Sequence, residues 1–254
     1  MQKSIEVVYT PALLPLYEVK GKIVVVIDIL RATSTICVAF KTGVNKILPV
    51  GSPEECRMFK DFDFLIAAER NAQKVEGFDL GNSPFEYENP ILEGKKIAFT
   101  TTNGTKAIKQ AKAMNAGAIV IGSFLNLSFL CHWLKEQNKD IVLLCAGWKD
   151  KFNLEDTLFA GAVIHELKSG FTIEDDAALA AEYLFEQHKG NIEALVRQSS
   201  HAKRFTLLHM ETDDVKFCLQ MNIIPIIPMI EGEYLIAMKE TAFSFGSAMG
   251  SATN

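Results

Sequence analysis

The chain predicts an α/β protein, three layers deep, with helices on both faces of a mostly parallel and in part mixed sheet. Three observations predict it. Short β-branched runs alternate with helix-patterned stretches through about residue 167, the pattern of repeated strand–helix units. The links between them are short, as crossover connections in one sheet require. Nearly every apolar run ends in polar or small residues (Asp28, Glu69-Arg70, Thr101, Gly122-Ser123, Ala146-Gly147), which is where ligands bind on parallel sheets. At 254 residues one domain is the expectation, with lobes 1–145 and 146–254 as the alternative division.

Each element follows in order. Residues 4–9 alternate weakly as a first strand, and Pro11 and Pro15 bound the loop after it. Residues 23–27, Ile-Val-Val-Val-Ile, read as a buried strand. Asp28 and Arg31 follow, and Thr33-Ser34-Thr35 opens a helix that Gly43 ends. Residues 46–50 are the next strand, and Ser52-Pro53-Glu54-Glu55 starts a capped helix. Residues 62–67 form a strand, before a long Gly/Asn/Pro-rich segment over 71–94 whose Phe78, Leu80, Phe85 and Tyr87 predict an ordered loop. Strands at 97–100, 118–121 and 141–145 alternate with helices near 105–114, 126–137 and 154–167. Helices over 177–188, 191–208 and 213–221 come next, then late strands at 223–227 and 234–237 and a frayed end at 246–254.

Composition narrows the function. A net charge of −5 with scattered Lys and Arg argues against nucleic acid, while a local basic pocket for a small anionic substrate stays open. No apolar run has the length of a signal peptide core or a membrane span. The five cysteines form no Cys-x-x-Cys pair and read as reduced thiols of a cytoplasmic protein. A homodimer is left open.

The candidate site collects on the strand ends. Thr101, Thr102, Asn103, Gly104 and Thr105, entering a helix, suit a phosphate cradle of hydroxyls and free backbone donors, or else a simple helix cap. They do not form the triphosphate-binding Gly-x-x-x-x-Gly-Lys pattern. Glu155 and Asp156, in a first helical turn behind Asn153, read as capping acids when taken alone. With Asp28, Glu69 and Asp79 they become an oxygen-rich set fit for magnesium. His201 offers a proton donor beside Lys203 and Arg204, and Arg31 and Arg70 add cations for anionic groups. His132, His165, His188 and His209 sit in helical patterns without ligand spacing, and Cys145 reads as a buried thiol before a nucleophile. No cysteine is followed six residues later by Arg, no Asp-x-Asp follows Asp28, and no Arg-His-Gly occurs. Three common phosphatase mechanisms are therefore missing.

Together these residues resemble the 2-phosphosulfolactate phosphatases of the ComB type. The resemblance rests on Val26-Ile-Asp28-Ile-Leu-Arg31-Ala-Thr-Ser-Thr35, Glu69-Arg70, Gly77-Phe-Asp79-Leu-Gly-Asn82-Ser83-Pro84 and Thr101-Thr-Asn103-Gly104-Thr105. It continues through Gly122-Ser123-Phe124 with Asn126, Cys145-Ala-Gly147, Leu154-Glu155-Asp156 with Ala160-Gly161-Ala162, Ser200-His201 with Lys203-Arg204, and Asp214 with Phe217-Cys218. It implies a cytoplasmic magnesium-dependent phosphatase that converts 2-phosphosulfolactate to sulfolactate on the route to coenzyme M. The chain departs from the family pattern at Ala68, at Asn71-Ala72-Gln73, at Trp148 where a small hydroxyl residue is usual, and at Ala202 where Gly is usual. Another 2-phospho acid as substrate is the alternative, as is a non-catalytic binding protein. The expected machinery is Asp28, Glu155 and His201 for catalysis, with metal acids drawn from Asp28, Glu69, Asp79, Glu155 and Asp156. Direct attack by water is expected, with an aspartyl-phosphate on Asp28 as the alternative route.

Overall fold

Every predicted alternation becomes an element. The computed structural model describes residues 3–173, 175–208 and 212–238; residues 246–254 and His209 lie outside them. The first half contains β1 (Lys3–Val8), β2 (Ile23–Ile27), α1 (Ala32–Lys41), β3 (Lys46–Pro49), α2 (Pro53–Arg57), β4 (Phe64–Arg70) and β5 (Gln73–Lys74). Next come β6 (Lys96–Thr100), α3 (Gly104–Ala113), β7 (Ala118–Gly122), α4 (Leu127–Glu136), β8 (Ile141–Cys145), α5 (Leu154–Leu167) and β9 (Phe171–Thr172). The chain continues with α6 (Asp176–His188), α7 (Ile192–Val196), α8 (Ser200–Leu207), α9 (Asp214–Cys218), β10 (Ile227–Glu231) and β11 (Tyr234–Met238).

The caps behave as the sequence predicts. The Ser52 side chain accepts from the Glu55 amide at 3.1 Å, and that of Asn153 accepts from the Asp156 amide at 2.9 Å. Gly43 sits at φ +94°, the left-handed exit from α1. Segment 71–94 is ordered: its Tyr87 is fully buried, donates to Gly81 O at 2.9 Å and accepts from Thr42 at its carbonyl at 2.7 Å. Boundaries move in two informative places. β4 runs on to Arg70, so Glu69 and Arg70 belong to the strand. The strand expected at 223–227 starts instead at Ile227, because Asn222 and Ile224 give their amides to Phe124 O and Leu125 O, outside any ladder.

Among the described residues eleven strands make one sheet in the order β5-β4-β6-β3-β11-β10-β7-β2-β8-β1-β9. Strands β4, β6 and β3 run parallel, as do β7, β2, β8, β1 and β9. The antiparallel hairpin β10–β11 joins the two parallel groups, each junction resting on one paired position, Met229 with Val120 and Leu235 with Ile47. The fully buried five-residue stretch of β2 lies mid-sheet, as continuous apolar strands of parallel sheets do. On one face α1 and α3 share a core with β2, β3, β6 and β7; on the other, α4, α5 and α6 cover β1, β2 and β8. The mostly parallel, mixed α/β expectation holds.

β4 and β2 stand six inter-strand steps apart, about 29 Å along a flat sheet at 4.8 Å per step. Glu69 from β4 and Asp28 beyond β2 nonetheless line one cleft. The two groups run antiparallel to each other across the hairpin, so the sheet must be strongly curved and twisted between them to bring Glu69 and Asp28 into one cleft.

Candidate active site

Asp28 is the floor of that cleft. It follows β2 directly, is 6 % exposed, and its backbone is locked by Thr33, whose hydroxyl accepts from the Asp28 amide at 3.1 Å and donates to Asp28 O at 2.9 Å. Gly104, the first residue of α3, closes against it. A Cβ there would sit 2.9 Å from Asp28 Oδ2 and 2.7 Å from the Ala32 Cβ, so only glycine lets the helix start approach the carboxylate. Burial pushes the Asp28 carboxyl up to about 6; attraction from His201 and the Ala32 amide pull it down, and repulsion from Glu69 and Glu155 adds to the rise.

Glu69 also lines the cleft. Its Oε1 accepts from the Ala72 amide at 2.6 Å, and its Oε2 from the Thr102 hydroxyl at 3.2 Å. The two-residue turn Asn71-Ala72 that brings this amide inward has φ of 56° and 68°, the left-handed pair of a type I′ hairpin.

His201, near the start of α8, completes the centre. Its Nδ1 donates to Glu155 Oε1 at 2.6 Å. Glu155 lies in the first turn of α5 with no exposed surface, so its Oε1 is committed to the imidazole. A carboxylate on Nδ1 fixes the tautomer and ring plane and leaves Nε2 for the cleft. The second oxygen of Glu155 has no hydrogen-bond partner among the described residues. The sequence names both residues, but their separation of 46 positions carries no local signal of the pairing.

Other expected residues take different places. Asp156 is fully buried, and its oxygens accept from the Ile29 amide at 2.9 Å, the Gly147 amide at 3.2 Å and Asn153 Nδ2 at 2.9 Å. It ties the ends of β2 and β8 to α5, and burial with the charges of Asp28 and Glu155 raises its carboxyl well above the usual range. Asp79 is exposed outside the cleft and accepts from the Ile66 amide at 2.9 Å. The five-acid metal set is thus not assembled, and among the described residues no three His, Cys, Asp or Glu side chains form a ligand cluster. Arg70 turns away to Glu69 O at 2.6 Å and Thr100 Oγ1 at 3.2 Å, over a separate depression with Lys106 and Lys109. The Thr101 and Thr105 hydroxyls are used on each other's backbone. Asn103 and Gly104, however, keep amides with no hydrogen-bond partner among the described residues. Lys203 is exposed and does not line the cleft, whereas Arg204 does. Cys145 is a buried free thiol pushed far up by burial, not a nucleophile facing the cleft.

Three features of the site go beyond what the sequence specifies. Arg31, 3 % exposed, forms an ion pair with buried Asp214 and donates to Ala72 O at 2.7 Å. Asp214 also accepts from Ser83 Oγ at 2.8 Å. Asn82 lines the cleft, with its buried Oδ1 unpartnered among the described residues. Finally, Trp148 and Lys149 stand on its rim. The sequence signals for these residues are the Arg31 and Asp214 motifs, the Gly77–Pro84 motif, and Trp148 at the expected site edge; their pairings have no such signal.

A family model described as 2-phosphosulpholactate phosphatase matches residues 8–233. A protein of Caldanaerobacter subterraneus subsp. tengcongensis named "Probable 2-phosphosulfolactate phosphatase" is 42% identical, over 84% of this chain and 90% of its own length. Proteins of the same name from Thermotoga petrophila and Symbiobacterium thermophilum are 43% and 38% identical, each over 87% of this chain and over 95% and 97% of their own lengths. Among the described residues no helix is long and apolar enough to cross a membrane. With an imidazole held by a buried carboxylate in one cleft with two acids, and this similarity along most of its length, the chain belongs to the 2-phosphosulfolactate phosphatase family.

Proposed function

We propose that the protein is a magnesium-dependent phosphatase that hydrolyses 2-phosphosulfolactate to sulfolactate and inorganic phosphate. The carrying observation is the Glu155–His201 pair standing in one cleft with Asp28 and Glu69. Two carboxylates that face one space and repel each other are a donor set suited to magnesium, which takes one or two carboxylates and completes its shell with water and phosphate oxygens. Asp28 and Glu69 would hold it, and its chemistry would be to offset phosphate charge and lower the pKa of a bound water.

The chain's own groups account for the rest. The free Asn103 and Gly104 amides at the α3 start donate to phosphate oxygens, with the helix dipole behind them. Water attacks phosphorus, the bond to the C2 oxygen breaks, and His201 Nε2–H gives its proton to the leaving alkoxide. Glu155 stabilises the imidazolium before that transfer and holds the ring in line. Arg31, neutralised by Asp214, shapes the wall more than it supplies net charge.

The test is phosphate release from phosphosulfolactate, phospholactate and phosphoglycerate, with magnesium and with chelator. Chelator-sensitive release concentrated on phosphosulfolactate is expected. Release that ignores chelator would overturn the magnesium assignment, release concentrated on another acid would move the substrate, and tight binding without release would make the protein a phospho-metabolite binder.

A further inference from the structure

The rim of the cleft carries charge that the phosphate chemistry does not use. Neighbouring cations are compensated: Arg31 by Asp214, Lys106 by Asp150, Lys109 by Glu55. Arg204 and Lys149 have no carboxylate partner among the described residues, and both line the cleft. Each rests instead on Trp148, the Arg204 guanidinium 4.4 Å and the Lys149 ammonium 4.8 Å from its ring.

An aromatic ring holds a cation differently from a carboxylate. It fixes the charge by its quadrupole and leaves the N–H donors unspent. Two cations so held, with donors free, are prepared for an anionic group from outside the protein.

The platform itself is anchored. Trp148 and Lys151 exchange backbone hydrogen bonds of 3.0 and 3.1 Å across a turn whose Lys149 and Asp150 have φ of 53° and 56°. Lys106 on α3 clamps the tip through Asp150 at 2.6 Å. The indole lies 19° from parallel to the His201 ring at 6.4 Å between centroids. The docking point and the proton donor therefore share one side chain.

Resting on the reading of the substrate above, we propose that Trp148 determines substrate class. With Arg204 and Lys149 it docks the substrate's second strong acid group, the sulfonate, at the rim while the phosphate lies at the floor. A 2-phospho acid bearing a methyl in that place loses this contact.

The test separates this inference from the activity itself. The chain has two tryptophans, and the other, Trp133, is buried in the core, so ligand-dependent fluorescence lost in Trp148→Phe reports Trp148. The wild-type protein is titrated with sulfolactate and with lactate, and KM is measured for phosphosulfolactate and phospholactate. Sulfolactate is expected to bind at least about tenfold tighter than lactate, the scale of one charge-assisted contact. Lys149→Gly, which suits the left-handed backbone and removes only an exposed side chain, is expected to remove most of that preference and to raise KM for phosphosulfolactate alone. Trp148→Leu, which removes the fluorescent reporter and is therefore read by KM, should raise KM for phosphosulfolactate alone and also lower kcat on both substrates, through the lost support of His201. Equal binding of sulfolactate and lactate, or a preference untouched by Lys149→Gly and Trp148→Leu, overturns the proposal. No phosphate release from either substrate with the sulfonate preference intact would remove the phosphatase reading and leave the docking point standing.

Discussion

Replacing Asp28 by Asn tests whether the floor of the cleft is a carboxylate kept charged at a cost to stability. The amide keeps an acceptor for the Ala32 N–H and the same volume beside Gly104, and removes only the charge. In the folded chain the carboxyl rises from an ordinary 3.8 to about 6. Between those values the folded state holds a proton that the unfolded state has released. Wild-type stability therefore falls as pH rises through this window, stays reduced above about 6, and carries no such penalty below 3.8. A rise of about two pH units corresponds to about 3 kcal/mol, an upper figure because His201 and Glu69 rearrange with the charge. The variant should be more stable than wild type by about 1–3 kcal/mol at pH 8, and by less than about 0.5 kcal/mol at pH 4. Urea unfolding with chelator present, at pH 4, 6 and 8, measures this, and phosphate release should fall by about 10²- to 10⁴-fold. Equal stability at pH 8, or a gain that does not change with pH, would refute the reasoning.

Other substitutions probe the remaining parts. Glu155→Gln should lower kcat about 10- to 100-fold with little change in KM and shift the pH–rate profile, because the amide no longer stabilises the His201 imidazolium; an unchanged profile would mean the pair is only structural. Gly104→Ala places a methyl against Asp28 and Ala32 and should cost far more in kcat than in thermal stability, as melting and phosphate release on one preparation would show. Asp214→Asn leaves the Arg31 guanidinium, 3 % exposed, without its counter-charge and should destabilise by about 3–5 kcal/mol in urea; a loss below about 1 kcal/mol would contradict a tight buried pair.

Much of this could be read in the residues. The β-branched run before Asp28 and the polar ends of successive runs gave a parallel sheet and a site on its carboxyl edge, because both depend on local pattern. Which members of a neighbouring pair serve the site could not be read that way. Glu155 and Asp156 point about 100° apart on one helix, one toward His201 and one toward backbone amides of two strand ends, and only the packing of α5 against α8 and the sheet decides which. Lys203 and Arg204 divide likewise between solvent and cleft. Arg70 is lost to the site because β4 continues through it and alternation turns its side chain opposite to Glu69. Asp214 joins a site built mostly from earlier residues through the fold's long-range closure, which no local period records.

The β10–β11 hairpin gives the order of synthesis a consequence. A ribosome releases Asp28, Glu69, Glu155 and His201 well before it reaches Ile227, and domains fold as they emerge. The two parallel groups can each form early, but the strands that splice them come from near the end of the chain. A nascent chain, or one truncated before Ile227, would thus carry every acid and the histidine, with α1 and α3 packing against both groups, yet expose the unpaired edges of β3 and β7 to other chains. Closure of the sheet between β3 and β7 waits for β10 and β11, the last strands among the described residues.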